Sequence, residues 1–485
     1  MSQGMFENSA LTRPSAPIRF LKGRRENLLT LQQRAFYGGV KWTRVLLRYR
    51  QITLTLLSSY LPFRFRPLTP AKKKERLLAV LSFAQKNIPY YKKTLGGLNL
   101  EKAFISLPLL TKSTIRTHFP DALANPNKKF KSHLLARTSG TTSQSIQHIR
   151  PSNAETRTLV NSVLHYQKGL LIYPVFVLST PHCSGLNCSL AASASDSVPF
   201  FSRSFFFRHL SDLVPLWAEK NILEQDPKVF SSIVNTLQTY EPSILVGDPV
   251  YLVAFAWFLI ETKRPAPKIK FILTSYELLT PSQKHLIEEV FQCQAHSQYG
   301  GSEILGVART CSMGFFHENE KDVFVEVLKE GRKALPGEIG EVVLTDLANF
   351  NMPFIRYQIG DAVERLPGIC PCGSHLKRLG LIHGRIADLF VTSHETPRVM
   401  SPLLADKLFE HIRGIKFYRL IKKKNVNYEI SYIPSLYFKE SDLALVFERA
   451  KEWLGHKAEI TFKKKAFFRP EPSMKFRFSF EEPSA

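Results

Sequence analysis

The sequence predicts an α/β protein with a large N-terminal domain of mixed, largely parallel sheets and a small α+β C-terminal domain. Three observations carry that prediction. Beyond Arg150, the β-rich runs VFVLST (175–180), SILVGD (243–248) and KFILTS (270–275) alternate with helical stretches at 249–262 and 281–291, the order that builds parallel βαβ units. From 322 to 345 the pattern turns to strands joined by the Pro336-Gly337 turn, and residues 389–485 repeat short strands and helices. At 485 residues the chain exceeds one ordinary hydrophobic core, so two folded units are expected.

The chain upstream of these runs divides by punctuation. Residues 1–20 mix Ser, Pro and Thr without apolar periodicity and read as a loosely held tail. From Asn27 to Tyr60, Leu, Phe and Val recur at spacings of three and four between basic residues, predicting two amphipathic helices that end before Pro62. After the Pro67–Pro70 break, residues 71–94 read as helical, and Lys112 to Phe119 as a short helix. Residues 1–70 form a basic N-terminal region and 71–384 the large unit. No internal repeat is visible.

Hydrophobic residues at 44% and charged residues at 22% exclude a disordered chain and a membrane-embedded bundle. The balance of 66 Lys+Arg against 41 Asp+Glu gives +25, which favours polyanions: ATP, coenzyme A, nucleic acid or an anionic membrane face. Much of the excess lies in residues 12–75, where Arg24, Arg25, Arg44, Arg48, Arg50, Arg64 and Arg66 alternate with Leu, Phe and Tyr. That pattern suits a solvated helical face, with peripheral contact to the inner face of a membrane as the alternative. No nucleic-acid recognition module organises the charge, so nucleic acid is not an expected partner. The longest apolar run, Val250 to Ile260, is too short to span a bilayer, and no apolar leader with a small-residue cleavage site is present, so a cytoplasmic location is expected. Six cysteines in so long a chain do not form a secreted disulfide framework; reduced thiols or a metal site are expected instead.

Four stretches carry chemistry. In ARTSGTTSQS (136–145), Gly140 lets the backbone approach a phosphate while Thr138, Ser139, Thr141 and Thr142 offer donors; a plain turn is the alternative. In SQYGGSEILG (297–306), Tyr299 can lie on a base, Gly300 and Gly301 can fit against it, and Glu303 can meet Mg²⁺, a hard cation that prefers oxygen; a glycine turn with a solvated glutamate is the alternative. In MPFIRYQIGDAV (352–363) and GRIADLF (384–390), Asp361 can accept from the vicinal hydroxyls of a ribose and Arg385 can fork onto a phosphate or ribose oxygen.

Taken together, these segments in this order resemble the core motifs of the adenylate-forming enzymes. VGDPVYL (246–252), LTSYELLTP (273–281), GEIGEVVLTDL (337–347) and CPCG (370–373) narrow the resemblance to the phenylacetate–coenzyme A ligase branch, with its coenzyme F390 synthetase-like and capsule-biosynthesis-associated members, over roughly residues 75–485. The resemblance implies ATP-dependent activation of a small carboxylic acid as its adenylate, pyrophosphate release, and thioester formation with coenzyme A. The alternatives in the same branch are AMP transfer to a phenolic hydroxyl and an inactive scaffold. It further implies that the 138–142 loop holds the β- and γ-phosphates, that Tyr299, Gly300 and Gly301 frame adenine, that Glu303 binds Mg²⁺, and that Asp361 holds ribose with Arg385 nearby. PSMKFRF places Lys475 where the family has its adenylation lysine. Residues 385–388 would be the hinge on which a mobile 389–485 domain turns, although Ala387 stands where a polar pivot is usual.

The phosphate loop departs from the family at Ser143 and Gln144, losing one phosphate-directed charge, and Tyr276 replaces the glycine before Glu277. Cys311, His317, Cys370 and Cys372 supply enough ligands for a closed structural Zn²⁺ site. His182, Cys183 and Cys188 lack a fourth ligand, and His133 and His148, which flank the phosphate loop, read as structural.

Overall fold

Proline and hydroxyl residues decide where the first helices begin and end. In the computed structural model the described residues are 68–127, 133–138, 145–151, 158, 166, 173, 175–178, 214–215, 227–239, 241–469, 471 and 475–483, all within the unit Pro62–Ala485. The 71–94 stretch is two helices, α1 (Pro70–Asn87) and α2 (Pro89–Leu95). The break falls at Ile88, which is extended at φ −103° because the following proline ring pushes it out of the helical region. Helix α3 (Lys112–His118) starts where the Thr111 hydroxyl accepts from the Thr114 N–H, a side-chain cap on an otherwise unpaired donor. Strands β1 (His133–Arg137) and β2 (Gln147–Pro151) pair antiparallel with Arg137 opposite Gln147, so both ends of the phosphate-loop segment sit together. Ser139, Gly140, Thr141, Thr142, Ser143 and Gln144 lie outside the described residues, as do the basic helices expected before Pro62 and the His182–Cys188 segment.

The β-rich runs become β3 (Val175–Leu178), β5 (Ser243–Gly247) and β6 (Ile269–Thr274), within a seven-stranded sheet completed by β4 (Val214–Pro215), β7 (Ala295–Tyr299), β8 (Ala308–Thr310) and β9 (Phe316–Glu318). The order is β4-β3-β5-β6-β7-β8-β9. It is parallel through β7 and antiparallel at the β8–β9 end. Helices α4 (Pro227–Thr239), α5 (Pro249–Glu261) and α6 (Pro281–Phe291) supply its crossovers. Helix α5 is apolar all round, and such a helix must be enclosed. It is buried from Pro249 to Leu259, with Phe255 against Phe291 of α6 and Phe258 stacked on Phe230 of α4.

A second sheet is antiparallel: β10 (Val323–Lys329), β11 (Arg332–Lys333), β12 (Ile339–Asp346), β13 (Tyr357–Glu364) and β14 (Leu381–Arg385), in the order β11-β10-β12-β13-β14. Its register sets Asp361 directly opposite Arg385. Beyond it come the pair β15 (Phe390–Val391) and β16 (Val399–Met400), then β17 (Ile415–Lys422), β18 (Asn427–Pro434), helix α7 (Glu440–Leu454), β19 (Glu459–Lys464) and β20 (Ser479–Glu481). The last four strands form a sheet ordered β19-β18-β17-β20. One hydrophobic cluster runs from Phe230, Phe255 and Ile272 into this C-terminal sheet through Met400, Leu420, Tyr428 and Phe476; another packs α1 and α2 against the antiparallel sheet. Among the described residues no helix is long and apolar enough to cross a membrane.

Candidate active site

Strands that end on one side of a parallel sheet leave their following loops side by side, and that is where ligands of such sheets sit. Here a cavity of about 260 Å³ is lined by the loops after β6 and β7, by β13, β14 and α3, and by the segment before β20. Of the residues singled out from sequence, it gathers Thr138, Tyr299, Gly300, Gly301, Glu303, Asp361, Arg385 and Lys475.

Tyr299 ends β7 and is buried; its hydroxyl donates to Asp361 Oδ2 at 2.7 Å, 62 positions away. Arg385 Nε lies 3.2 Å from Asp361 Oδ1, and its Nη1 donates to the Ile359 carbonyl at 2.8 Å. The aspartate therefore holds a phenol and a guanidinium at once. Its charge raises Arg385 further above the ordinary arginine value, while burial and the same carboxylate raise the Tyr299 phenol. Gly360 lies just before it at φ +85°, a conformation an L side chain adopts only with strain. A Cβ on Gly300 would come within 2.9 Å of the Gly306 nitrogen and the Ile304 carbonyl oxygen, backbone atoms that cannot swing aside.

Glu303 is buried, with Oε1 accepting from the Tyr357 hydroxyl at 2.6 Å and Oε2 from the Ser302 hydroxyl at 3.1 Å. Burial alone would raise its carboxyl, but His148, the Tyr357 hydroxyl and Lys112 outweigh it and hold Glu303 below the usual glutamate range. An ionised carboxylate among hydroxyls is the donor set a hard divalent cation takes. Thr138 is tied to Ile146 through its backbone and through its hydroxyl, which accepts from the Ile146 N–H at 3.0 Å.

Lys475 reaches the cavity from the far end of the chain and donates to the Tyr276 carbonyl at 2.9 Å. Lys112 lines the same cavity, at the start of α3; burial, and then Arg385, lower its ammonium below the usual lysine value. Sequence reading passed over Lys112, Tyr357 and Arg150, and took His148 as structural. His148 Nε2 and Arg150 Nη1 both meet the Ser302 carbonyl, at 2.8 and 3.3 Å, next to Glu303. The one early signal was position: α3 begins after a capping threonine, and β2 follows the phosphate loop.

Apart from this cavity, Cys311, His317, Cys370 and Cys372 converge, with one donor atom from each within 4.8 Å of the others. Cys311 Sγ is 3.8 Å from Cys370 Sγ, and Cys372 Sγ is 3.4 Å from His317 Nε2. Tetrahedral zinc with bonds of about 2.3 Å to sulfur separates two sulfurs by about 3.8 Å, so the spacing fits. His317 Nδ1 meets the Leu376 carbonyl at 3.0 Å, which fixes the ring with Nε2 toward the thiols.

No protein-family model matches the chain. Over 173 residues it is 28% identical to the phenylacetate-coenzyme A ligase of Pseudomonas putida, a match covering 33% of this chain and 37% of that one. Over 341 residues it is 22% identical to the phenylacetate-coenzyme A ligase of Thermus thermophilus, covering 66% of this chain and 71% of that one. Among solved structures, 2-hydroxyisobutyryl-CoA ligase in the postadenylation state, in complex with R3-HIB-AMP, superposes with a TM-score of 0.67 at 18% identity, covering 88% of this chain and 94% of that one. The fold is that of the adenylate-forming CoA ligases. In sequence the chain is similar to these two phenylacetate-coenzyme A ligases over the stretches given, and it spans little more than a third of the Pseudomonas enzyme it matches.

Proposed function

We propose that the protein activates a small carboxylic acid, aryl or acyl, by AMP transfer from ATP and then passes the acyl group to coenzyme A. The observation that carries this reading is the convergence of Tyr299, Glu303, Asp361, Arg385 and Lys475, from four separate stretches of chain, on one cavity. An acid oxygen attacks the α-phosphorus, the bond to the bridging oxygen breaks, and pyrophosphate leaves. The coenzyme A thiol then attacks the acyl carbonyl and AMP leaves. The first step brings two anions together, so a cation placed where negative charge accumulates lowers its barrier. Lys475 would stand between carboxylate and α-phosphate, and Asp361 and Arg385 would hold the ribose and its neighbouring oxygen. Tyr299, Gly300 and Gly301 would frame adenine, and Thr138 with the loop to Thr142 would take the β- and γ-phosphates. Mg²⁺ held at Glu303 would neutralise phosphate charge. Lys112 would supply phosphate-directed charge of the kind that the loop lacks at Gln144.

The Cys311, His317, Cys370 and Cys372 cluster would hold a structural Zn²⁺ pinning the turn after β8 to the Cys370 turn. The 385–388 segment would be the hinge for residues 389–485. The basic N-terminal stretch would at most touch the inner membrane face of a cytoplasmic enzyme, a reading resting on sequence alone.

The test is ATP–pyrophosphate exchange over a panel of aryl and fatty acids beginning with phenylacetate, with coenzyme A added and withheld. Acid-dependent exchange together with coenzyme A-dependent AMP release is expected. Pyrophosphate release that never consumes coenzyme A would favour a non-thiol acceptor, and no turnover with any acid would leave a scaffold.

A further inference from the structure

The loop after β6 carries a cluster that the reading above does not use. Tyr276 sits at φ +77°, in the left-handed region, where a bulky side chain is strained and persists only when its surroundings hold it. Its carbonyl accepts from Lys475 Nζ at 2.9 Å, and the carboxylate of the next residue, Glu277, accepts from the Phe476 N–H at 2.9 Å. Arg477 Nε then donates to Asp388 Oδ1 at 2.7 Å. Successive residues of the C-terminal segment are thus gripped in turn, the first two by adjacent residues 199 positions earlier.

Behind Glu277 lies Asp248, with no exposed surface, capping α5 through Oδ1 with the Val250 N–H at 2.9 Å. Glu277 Oε2 and Asp248 Oδ2 are buried and have no hydrogen-bond partner among the described residues. Lys475 is the cation coupled to both carboxyls. Burial of two acids without full hydrogen bonding is unfavourable unless a charge compensates, and here that charge arrives on the segment being gripped.

The geometry points to Glu277, backed by Asp248, as a positioning residue that docks the Lys475–Phe476 segment in the cavity for AMP transfer. This rests on the proposed role of Lys475. The cavity needs Lys475 only in the first half-reaction; the second needs a path for the coenzyme A thiol. Both grips on Lys475–Phe476 are hydrogen bonds to backbone on one side, so they can part without any side chain leaving its own element. Nothing in the apolar packing of α5 or α6 requires an acid at 277, whereas a docked amide at Phe476 does require an acceptor.

The experiment uses the full chain and two readouts. Hydrogen exchange of the peptide containing Phe476 reports docking without substrate. ATP–pyrophosphate exchange with phenylacetate, and coenzyme A thioester formation from supplied phenylacetyl-adenylate, report the two half-reactions separately. Glu277→Ala should speed amide exchange at Phe476 and lower AMP transfer about ten- to a hundredfold, the cost of leaving the Phe476 N–H without its acceptor, with thioester formation changed by less than about twofold. Glu277→Gln keeps an acceptor for Phe476 and should restore most of the protection and most of the rate. Unchanged amide exchange in Glu277→Ala, or an equal fall in both half-reactions, overturns the assignment. Lys475→Ala separates the two claims: if it loses AMP transfer while Glu277→Ala keeps it, only the grip is wrong, and if it keeps AMP transfer the catalytic reading of Lys475 is wrong. A chain that turns over no acid still answers through amide exchange.

Discussion

Two walls of the same cavity are built on opposite terms. Around Tyr299, Asp361, Arg385, Glu303 and Tyr357 both oxygens of each carboxylate have a partner within 3.2 Å. Around Lys475, Glu277 and Asp248 each carboxyl keeps one buried oxygen without a hydrogen bond among the described residues. The first wall is preorganised and its charges balance among residues of the large sheets. The second balances only when a segment from the far end of the chain is present. The proposed nucleotide contacts fall on the first kind of wall, and the proposed adenylation lysine falls on the second.

The largest expected effect tests the second wall. Lys475→Ala should lower AMP transfer by about 10²–10³-fold, as the loss of a preorganised charge on the transition state does, while the folded state survives. Pyrophosphate exchange measures it, and a near wild-type rate would remove Lys475 from the chemistry. Next comes the first wall. Asp361→Ala strands the Arg385 guanidinium and the Tyr299 hydroxyl, so an about ten- to hundredfold loss in kcat/KM for ATP should come with a fall in Tm of several degrees. A rate loss without any fall in Tm would show that the wall is less interlocked than its distances state.

Metal removal should sharpen the contrast. The Cys311 loop joins β8 to β9, and β8 pairs with β7, which ends in Tyr299. Stripping bound zinc with a chelator should therefore lower Tm and weaken ATP binding, while the Phe476 amide keeps its protection. Purified wild-type protein free of metal and equally stable would reject zinc there.

The smallest effect is a pH dependence. Burial, above all, pushes Asp248 from the ordinary 3.8 up to about 7. A carboxyl raised in this way favours the native state while protonated, at pH below its unfolded value, and that contribution is lost as pH rises through about 7. Asp248→Asn keeps the α5 cap and cannot ionise, so it should raise Tm by roughly a few degrees near pH 8.5 and by progressively less as pH falls toward 3.8. A uniform shift at both values would count against a buried titrating acid.

Much of the first wall was legible in the sequence. Glycines, hydroxyls and carboxylates in SQYGGSEILG and QIGDAV announce their chemistry locally, because backbone approach and oxygen ligation depend on residue type at fixed short spacing. Lys112, Tyr357, His148 and Arg150 were not legible as site residues, since nothing in their own neighbourhoods distinguishes them from surface or core positions. Glu277 was visible only as the residue after an unexpected tyrosine. The single 71–94 helix became two because the Pro89 ring constrains Ile88, a boundary that apolar periodicity does not register.

By itself the sequence determined the alternation of strand and helix, the apolar helical stretch at 249–262, and the presence of residue types whose donors and acceptors suit phosphate, ribose and metal, for these follow from side-chain period and donor chemistry. Only the tertiary structure decided that Asp361 faces Arg385 across a strand register, that four distant Cys and His side chains meet, and that Lys475 lands on Tyr276 and beside Glu277. Register and chain crossing bring together residues separated by tens to hundreds of positions, and no local pattern encodes that distance.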